Sequence, residues 1–460
     1  MSSLYTRFAA GVLFPLHERL KGHNSVARRR GLERTQWLAP DELAALQLAN
    51  LKQFLSEIGS RVPYYKASFA AAGFDPASMA SVADLARLPV LTKSTIRAHD
   101  ESMKAAGHGP LVRYNTGGSS GEPLIFYTGR ARKSHDVAAK WRATRWWGVD
   151  IGDTELVVWG SPIELGAQDR VRRFRDALMR SHLLPAFEMS PVNLDHFVAQ
   201  IRATRPVMLF GYPSSLALIA QHAGSRGVAL DDLGIRIVFV TSEKLYDDQR
   251  RVISAAFGCP VANGYGARDA GFIAHECPSG SLHISAEDIV VEILRPDGAS
   301  AVAGQSGEIV VTHLATADFP FVRYRTGDVG ALSAERCACG RGLPVLCEVE
   351  GRTTDFVVAR DGTVMHGLAL IYTLRDLPGI ERFKIEQLSL DCTLVRVVAG
   401  PQFSAADEER IRLDFRARLG AAVEVRIERV HEIPAEASGK FRYVSSRVVV
   451  PQVSPEPADA

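Results

Sequence analysis

Apolar residues recur at helical spacing through the first hundred positions. From about 150 they gather instead into short solid runs divided by amphipathic stretches. Leu43, Leu46, Leu48, Leu51, Phe54, Leu55 and Ile58 share one broad helical face. Pro40-Asp41-Glu42 starts that helix, with acids in the first turn where the helix dipole favours them, and Val62-Pro63 ends it. Ahead of it, residues 1–20 read as an amphipathic opening helix carrying Phe8, Val12, Leu13, Phe14 and Leu16. Arg7, Glu18 and Arg19 lie close and no cleavage pattern follows, which argues against a signal peptide.

Three apolar runs, 155–160, 206–211 and 235–240, alternate with helical patterns over about 168–181, 213–222 and 246–256. Solid strands alternating with helices predict βαβ units and a sheet covered on both faces. Ligands of such sheets bind beyond the carboxyl ends of the strands. Trp159-Gly160-Ser161, Gly211-Tyr212-Pro213, Thr241-Ser242-Glu243 and Gly264-Tyr265-Gly266 therefore converge on one rim. Residues 282–350 turn strand-rich, with runs at 289–294 and 307–312. Residues 352–450 read as a small α+β unit with a helix over 405–419 and strands near 383–388, 393–398 and 423–430. The predicted fold is α/β: a large N-terminal domain of layered α/β sheets with a β-rich subdomain (1–351), then a small α+β domain (352–450) joined by a hinge. Pro and acidic residues mark 451–460 as a disordered tail.

Composition narrows the function classes. The chain has 460 residues, 46% of them apolar, enough for a core of ordinary size. A formal net charge of +2 argues against a dedicated nucleic-acid binder. No apolar run is long enough for a transmembrane helix. The six cysteines without a secretion signal point to a reducing, cytoplasmic setting. Arg28-Arg29-Arg30 with Arg19, Lys21 and Arg34 form a basic cluster, read either as a solvated face or as a contact for an anionic membrane surface.

Candidate chemistry centres on Tyr114-Asn115-Thr116-Gly117-Gly118-Ser119-Ser120-Gly121-Glu122-Pro123 and the apolar run that follows. Small and hydroxylated residues let backbone N–H groups close on an anion. A P-loop is excluded: no Lys follows Gly121, and Leu124 to Tyr127 reads as a strand rather than a helix. A ligand-free Gly/Ser hairpin is the alternative reading.

Five landmarks stand in order: the loop at 116–123, Tyr265-Gly266-Ala267-Arg268-Asp269, Tyr324-Arg325-Thr326-Gly327-Asp328, Gly351-Arg352 and Ser438-Gly439-Lys440. In this order the chain resembles the adenylate-forming superfamily of acyl-CoA synthetases, and within it the phenylacetate–CoA ligase branch and its CapK-like subgroup. Phe14 to Gly22, Val62-Pro63-Tyr64-Tyr65 and Ile273 to Pro278 are similar to that subgroup too.

The resemblance implies an enzyme that activates a carboxylic acid with ATP and Mg²⁺, releases pyrophosphate, and passes the acyl group to CoA. It implies that Thr116, Gly117, Gly118, Ser119, Ser120 and Gly121 hold phosphates. Tyr265 and Gly266 would contact adenine and the α-phosphate, Asp328 and Arg352 the ribose. Asp269, where the family usually has Glu, would serve Mg²⁺ with one methylene less reach. Lys440 is the implied catalytic lysine, brought in by rotation of the small domain. Trp159, Gly160, Tyr212 and Glu243 are the candidates for the acyl pocket. The implied partners are a small carboxylic acid, ATP, and CoA or another nucleophile; a homodimer is left open. An amine or hydroxyl acceptor, or a nucleotide-binding scaffold without turnover, stand as alternatives.

Two features depart from the pattern. Arg360 to Gly367 differs from the family's usual stretch after the hinge, which bears on the CoA step. Cys337-x-Cys339 and Cys347 lie within eleven residues, and Cys277 would join them through the fold. Four thiolates satisfy tetrahedral Zn²⁺, with His283 as an alternative to Cys347; reduced, partly buried thiols are the other reading.

Overall fold

A computed structural model describes residues 3–115, 124–159, 170–186, 188–295, 297–350, 356–375, 377–433 and 443–448. The loop 116–123, Gly160, Gly351, Arg352, Lys440 and the tail 451–460 lie outside the described residues.

One eleven-stranded sheet organises the large domain. Across it run Ile289–Leu294, Gly307–His313, Tyr324–Leu332, Val345–Glu350, Leu282–Ile284, Gly271–Glu276, Val261–Ala267, Ile237–Thr241, Met208–Gly211, Glu155–Trp159 and Ser181–Pro185. The last five are parallel and the rest antiparallel. The parallel part is the doubly covered sheet the apolar runs predict, and the strand-rich stretch 282–350, expected as a β-rich subdomain, continues the same sheet. Alternation explains the two-sided cover of the parallel half. Leu209, Val238 and Val240 face the helices Pro191–Thr204 and Pro213–Ser225, while Met208, Phe210, Ile237 and Phe239 face Ala143 and Val149 on the other side. The antiparallel half buries Ile273, Ile289, Ile309 and Val311 against Leu51, Leu55 and Ile58 of the helix Pro40–Arg61. Val62 is extended and Pro63 opens the next helix, Pro63–Ala71.

The helix Arg130–Arg145 bridges the halves. Its Arg142 is fully buried and donates to Glu287 Oε1 at 2.7 Å and Ser285 Oγ at 2.9 Å. Removing one partner of such a buried pair strands the other, at a cost of about 3–5 kcal/mol.

The small unit is a four-stranded sheet in the order Glu424–Arg429, Cys392–Ala399, Ile380–Ser389, Val444–Ser446. Ile411, Phe415 and Leu419 of the helix Ala405–Leu419 pack into its core. A separate three-stranded sheet joins Phe356–Val358 and Val364–His366 to Glu188–Met189 of the large domain.

The strand bounds shift by up to three residues: Met208–Gly211 and Ile237–Thr241 start two residues after their apolar runs, and Ile380–Ser389 starts three residues early. The helix predicted over 168–181 spans Arg170–Leu178 in its described part and gives way to the edge strand Ser181–Pro185, which pairs on one side only. The opening helix is present but turned over. Phe8, Val12 and Leu16 are exposed, and Thr6, Ala9 and Glu18 face the body.

Candidate functional site

Five parallel strands end on one rim, and their order places a switch point between Glu155–Trp159 and Met208–Gly211. Chain connections leave these two strands in opposite directions, which opens a crevice at their carboxyl ends. The rings of Trp159 and Tyr212 stack there at 4.4 Å, and Phe210 lies 6.2 Å from Trp159. The next strand ends in Thr241-Ser242-Glu243. Ser242 has φ +73°, a backbone that non-glycine residues seldom adopt outside functional turns. Ser214 Oγ, at the start of the helix Pro213–Ser225, donates to Glu243 Oε2 at 2.5 Å. Thr241 Oγ1 donates to Gly264 O at 2.7 Å and ties two strand ends together. The three described acyl-pocket candidates, Trp159, Tyr212 and Glu243, thus stand on adjacent strand ends.

The nucleotide candidates form a second group beside them. Tyr265 donates its phenolic hydrogen to Asp328 Oδ2 at 3.0 Å. Asp328 lies within the strand Tyr324–Leu332 at a bulge, where Gly327 takes φ +77° and Thr326 Oγ1 accepts from the Asp328 N–H at 3.1 Å. Gly266 sits at a bulge where a Cβ would come within 2.4 Å of Gly271 O, so only glycine fits. Asp269 is buried. Its Oδ1 accepts from the Ala270 N–H at 3.1 Å and its Oδ2 from the Tyr324 hydroxyl at 2.5 Å.

Asn115 and Leu124 flank the loop 116–123. The strands Val112–Asn115 and Ile125–Thr128 pair antiparallel, with Asn115 opposite Ile125, so the two ends that flank the loop stand side by side. Arg268 donates to Asn115 O at 3.5 Å, which sets the end of this strand pair beside the segment Tyr265–Asp269.

Arg132, which sequence reading did not single out, supports that segment from below. It is buried and donates to Asp269 O at 3.2 Å and Arg268 O at 3.3 Å, while its Nε holds Asp136 at 2.9 Å. Its only advance signal is the i, i+4 spacing to Asp136. His135 and His313 join Asp136 in a compact buried group. The guanidinium of Arg132 already binds this carboxylate, and its charge opposes a metal ion there.

The cysteines behave differently from the expectation in one respect. Cys277, His283, Cys337 and Cys339 bring their ligand atoms within 4.8 Å of one another. Cys277 Sγ is 3.6 Å from Cys337 Sγ, and Cys339 Sγ is 3.2 Å from His283 Nε2. Two sulfurs each about 2.3 Å from a tetrahedral ion stand roughly 3.8 Å apart, so the donor set fits zinc. His283 Nδ1 donates to Leu343 O at 3.0 Å, which turns Nε2 toward the thiols. Burial opposes the Cys337 thiolate. Hydrogen bonds from Ser281 and the Cys339 N–H outweigh it and lower that thiol below its ordinary value. Cys347 is not in the cluster: its thiol donates to Ala331 O at 3.3 Å, and the imidazole of His283 stands in the fourth position.

Comparison with known proteins agrees with this architecture. Residues 357–447 match the family model for the CapK C-terminal domain. Protein CapK of Staphylococcus aureus is 25% identical over 382 residues, covering 80% of this chain and 81% of that protein. A phenylacetate-coenzyme A ligase of Thermus thermophilus is 27% identical over 333 residues, covering 70% and 73%. Among solved structures, a 2-hydroxyisobutyryl-CoA ligase with 2-HIB-AMP and CoA superposes with a TM-score of 0.63 at 20% identity, covering 90% of this chain and 92% of that one. In sequence and in fold, the chain resembles the adenylate-forming ligases of the phenylacetate–CoA ligase and CapK-like branch.

Proposed function

We propose that this protein is an ATP-dependent, AMP-forming carboxylate ligase. A carboxylate oxygen attacks the α-phosphorus of ATP, the bond to the bridging oxygen breaks, and pyrophosphate leaves. The acyl-adenylate then meets the thiol of CoA, which forms a thioester and releases AMP. The observation that carries this reading is the placement of the Tyr265–Asp328 and Tyr324–Asp269 pairs on one rim, beside the strand pair that flanks the loop 116–123.

Each described group has a task in this reading. Asp328 presents a carboxylate edge that suits a ribose diol, and Tyr265 orients it. Asp269 would hold a magnesium ion, which, when bound, offsets the phosphate charge. Its rigid setting, from Ala270 and Tyr324, limits reorganisation during the reaction. Trp159 and Tyr212 would stack on or border the acyl group in the switch-point crevice. The loop 116–121, Arg352 and Lys440 would complete phosphate, ribose and carboxylate contacts. We assign Cys277, His283, Cys337 and Cys339 to a structural zinc ion that fastens the turn 337–341 to the sheet.

ATP–pyrophosphate exchange across a panel of aryl and small organic acids tests the proposal. Exchange with at least one acid is expected, and Lys440→Ala should lower it by about a hundredfold or more while ATP still binds. No exchange with any acid, together with ATP binding, would leave a nucleotide-binding scaffold instead. The departure at Arg360 to Gly367 favours one second reading, transfer to an amine or hydroxyl. Product masses with and without CoA separate the two acceptors.

A further inference from the structure

The opening helix carries its large apolar side chains on the outside. Leu4, Phe8, Val12, Leu16 and Leu20 are 84%, 49%, 51%, 55% and 80% exposed. The face toward the body holds Thr6, Ala9 and Glu18 instead, all buried. Thr6 Oγ1 donates to Asp153 Oδ1 at 2.8 Å, and Ala9 lies against Gly152, where a Cβ would come within 2.4 Å of it. A surface helix ordinarily buries its apolar stripe and solvates its polar face. Here the polar and small residues anchor the helix and the apolar stripe is presented.

Backbone geometry keeps that stripe on one face. A four-residue spacing drifts around a helix of 3.6 residues per turn. The stretch runs as α-helix over Leu4–Phe8, π-helix over Ala9–Leu13 and α-helix over Phe14–Leu20. The wider π turn takes up extra residues and draws the five positions back into line. Pro15, which has no N–H to give to the preceding turn, stands in the first turn after the π segment. The aligned stripe is about 25 Å long at about 1.5 Å per residue.

The charge around the stripe selects the occupant. Arg7, Arg19 and Lys21 on the same helix are exposed, as are Arg30 and Arg34 on the next one. The first forty residues carry seven Lys and Arg against two Glu, in a chain whose net charge is only +2. The neighbouring helix Arg170–Leu178 is basic as well. It exposes Phe174 and is joined to the opening helix by Tyr5 Oη donating to Leu178 O at 2.7 Å. A second copy would bring like charges together, which disfavours self-pairing. An apolar stripe bordered by Arg and Lys matches the chemistry of an anionic bilayer surface, with the helix lying in the interface plane.

We infer that residues 4–20 form an interfacial anchor that seats the protein on membranes rich in anionic phospholipid. This does not rest on the ligase reading, because its test uses no substrate. The full-length protein is floated with vesicles of phosphatidylcholine alone and of phosphatidylcholine mixed with phosphatidylglycerol. Binding is expected with the mixed vesicles and should weaken as salt is raised. The double variant Phe8→Ser/Leu16→Ser should lose at least about tenfold in bound fraction with an unchanged circular dichroism spectrum, since both side chains are exposed. Arg7→Gln/Arg19→Gln should lose binding mainly at low salt and converge with the unaltered protein as salt is raised. No binding to the mixed vesicles, equal binding to pure phosphatidylcholine, or full binding by the Phe8→Ser/Leu16→Ser variant would overturn the inference. So would a concentration-dependent dimer in sedimentation velocity that this variant abolishes, which would assign the stripe to a second copy.

Discussion

Tyr324, itself buried, holds the buried Asp269, its hydroxyl 2.5 Å from Oδ2, and Asp269 lies two residues past the strand that bears Tyr265. The contact ties two of the sequence landmarks to each other. Tyr324→Phe should lower ATP–pyrophosphate exchange by about tenfold and raise the magnesium concentration needed for half-maximal rate. Its effect on folding should be about 1 kcal/mol. A magnesium titration of the variant checks this; an unchanged curve would reduce the contact to packing.

Metal analysis of single-cysteine variants separates the cluster from its neighbour. Cys337→Ser and Cys339→Ser should lose the zinc and several degrees of thermal stability. Cys347→Ser should keep both, since that thiol bonds to Ala331 O away from the cluster. Zinc in none of the proteins, or loss of zinc in Cys347→Ser, would contradict the assignment.

Gly266→Ala should destabilise the protein by at least about 2 kcal/mol, because its methyl group would press on Gly271 O. Gly224, near the end of a helix with open space around its Cβ position, provides the control. Gly224→Ala should be neutral or stabilising by up to about 1 kcal/mol. Urea unfolding of the pair reads the difference directly.

Acid sensitivity should follow His313. Burial, reinforced by Arg132, holds its imidazole well below the ordinary range, so the folded protein keeps it neutral. In the unfolded chain it gains a proton near pH 6.5. Below that pH the unfolded state binds more protons, and stability falls by up to about 1.4 kcal/mol per pH unit from this group alone. Above it the contribution is complete and constant. Denaturation between pH 7 and pH 5 should show the slope, and His313→Asn should reduce it by about half, because His275, which burial pushes down to about 3, contributes in the same way. An equal slope in the variant would place the acid sensitivity elsewhere.

The stacked rings of Trp159 and Tyr212 predict a change in selectivity. Trp159→Leu should raise KM for aromatic acids by about tenfold and leave small aliphatic acids near the original value. A uniform change across the panel would remove Trp159 from the acyl pocket.

Much of this architecture was legible because solid apolar runs demand two-sided cover, as at Ile237–Thr241, where every residue is buried. The edge strand Ser181–Pro185 was not legible, since a strand paired on one side and partly exposed leaves only a weak apolar pattern. Periodicity gave the opening helix an apolar side but no direction for it. Only the contacts of Thr6 and Ala9 decide that direction. For the cluster, Cys347 is near Cys339 in sequence, whereas His283 arrives through the pairing of Leu282–Ile284 with Gly271–Glu276. Arg132 escaped notice because a buried arginine shows its purpose only through the carbonyls it meets.

The small sheet shared between the two parts of the chain has a mechanical meaning. Val364 and Met365 pair with Met189 and Glu188, and among the described residues this ladder is two residues long. Each of its hydrogen bonds is worth about 1 kcal/mol net. If the small unit turns as the proposed two-step reaction requires, such a ladder would act as a latch with a short throw, weak enough to open within the free energy that binding a substrate supplies.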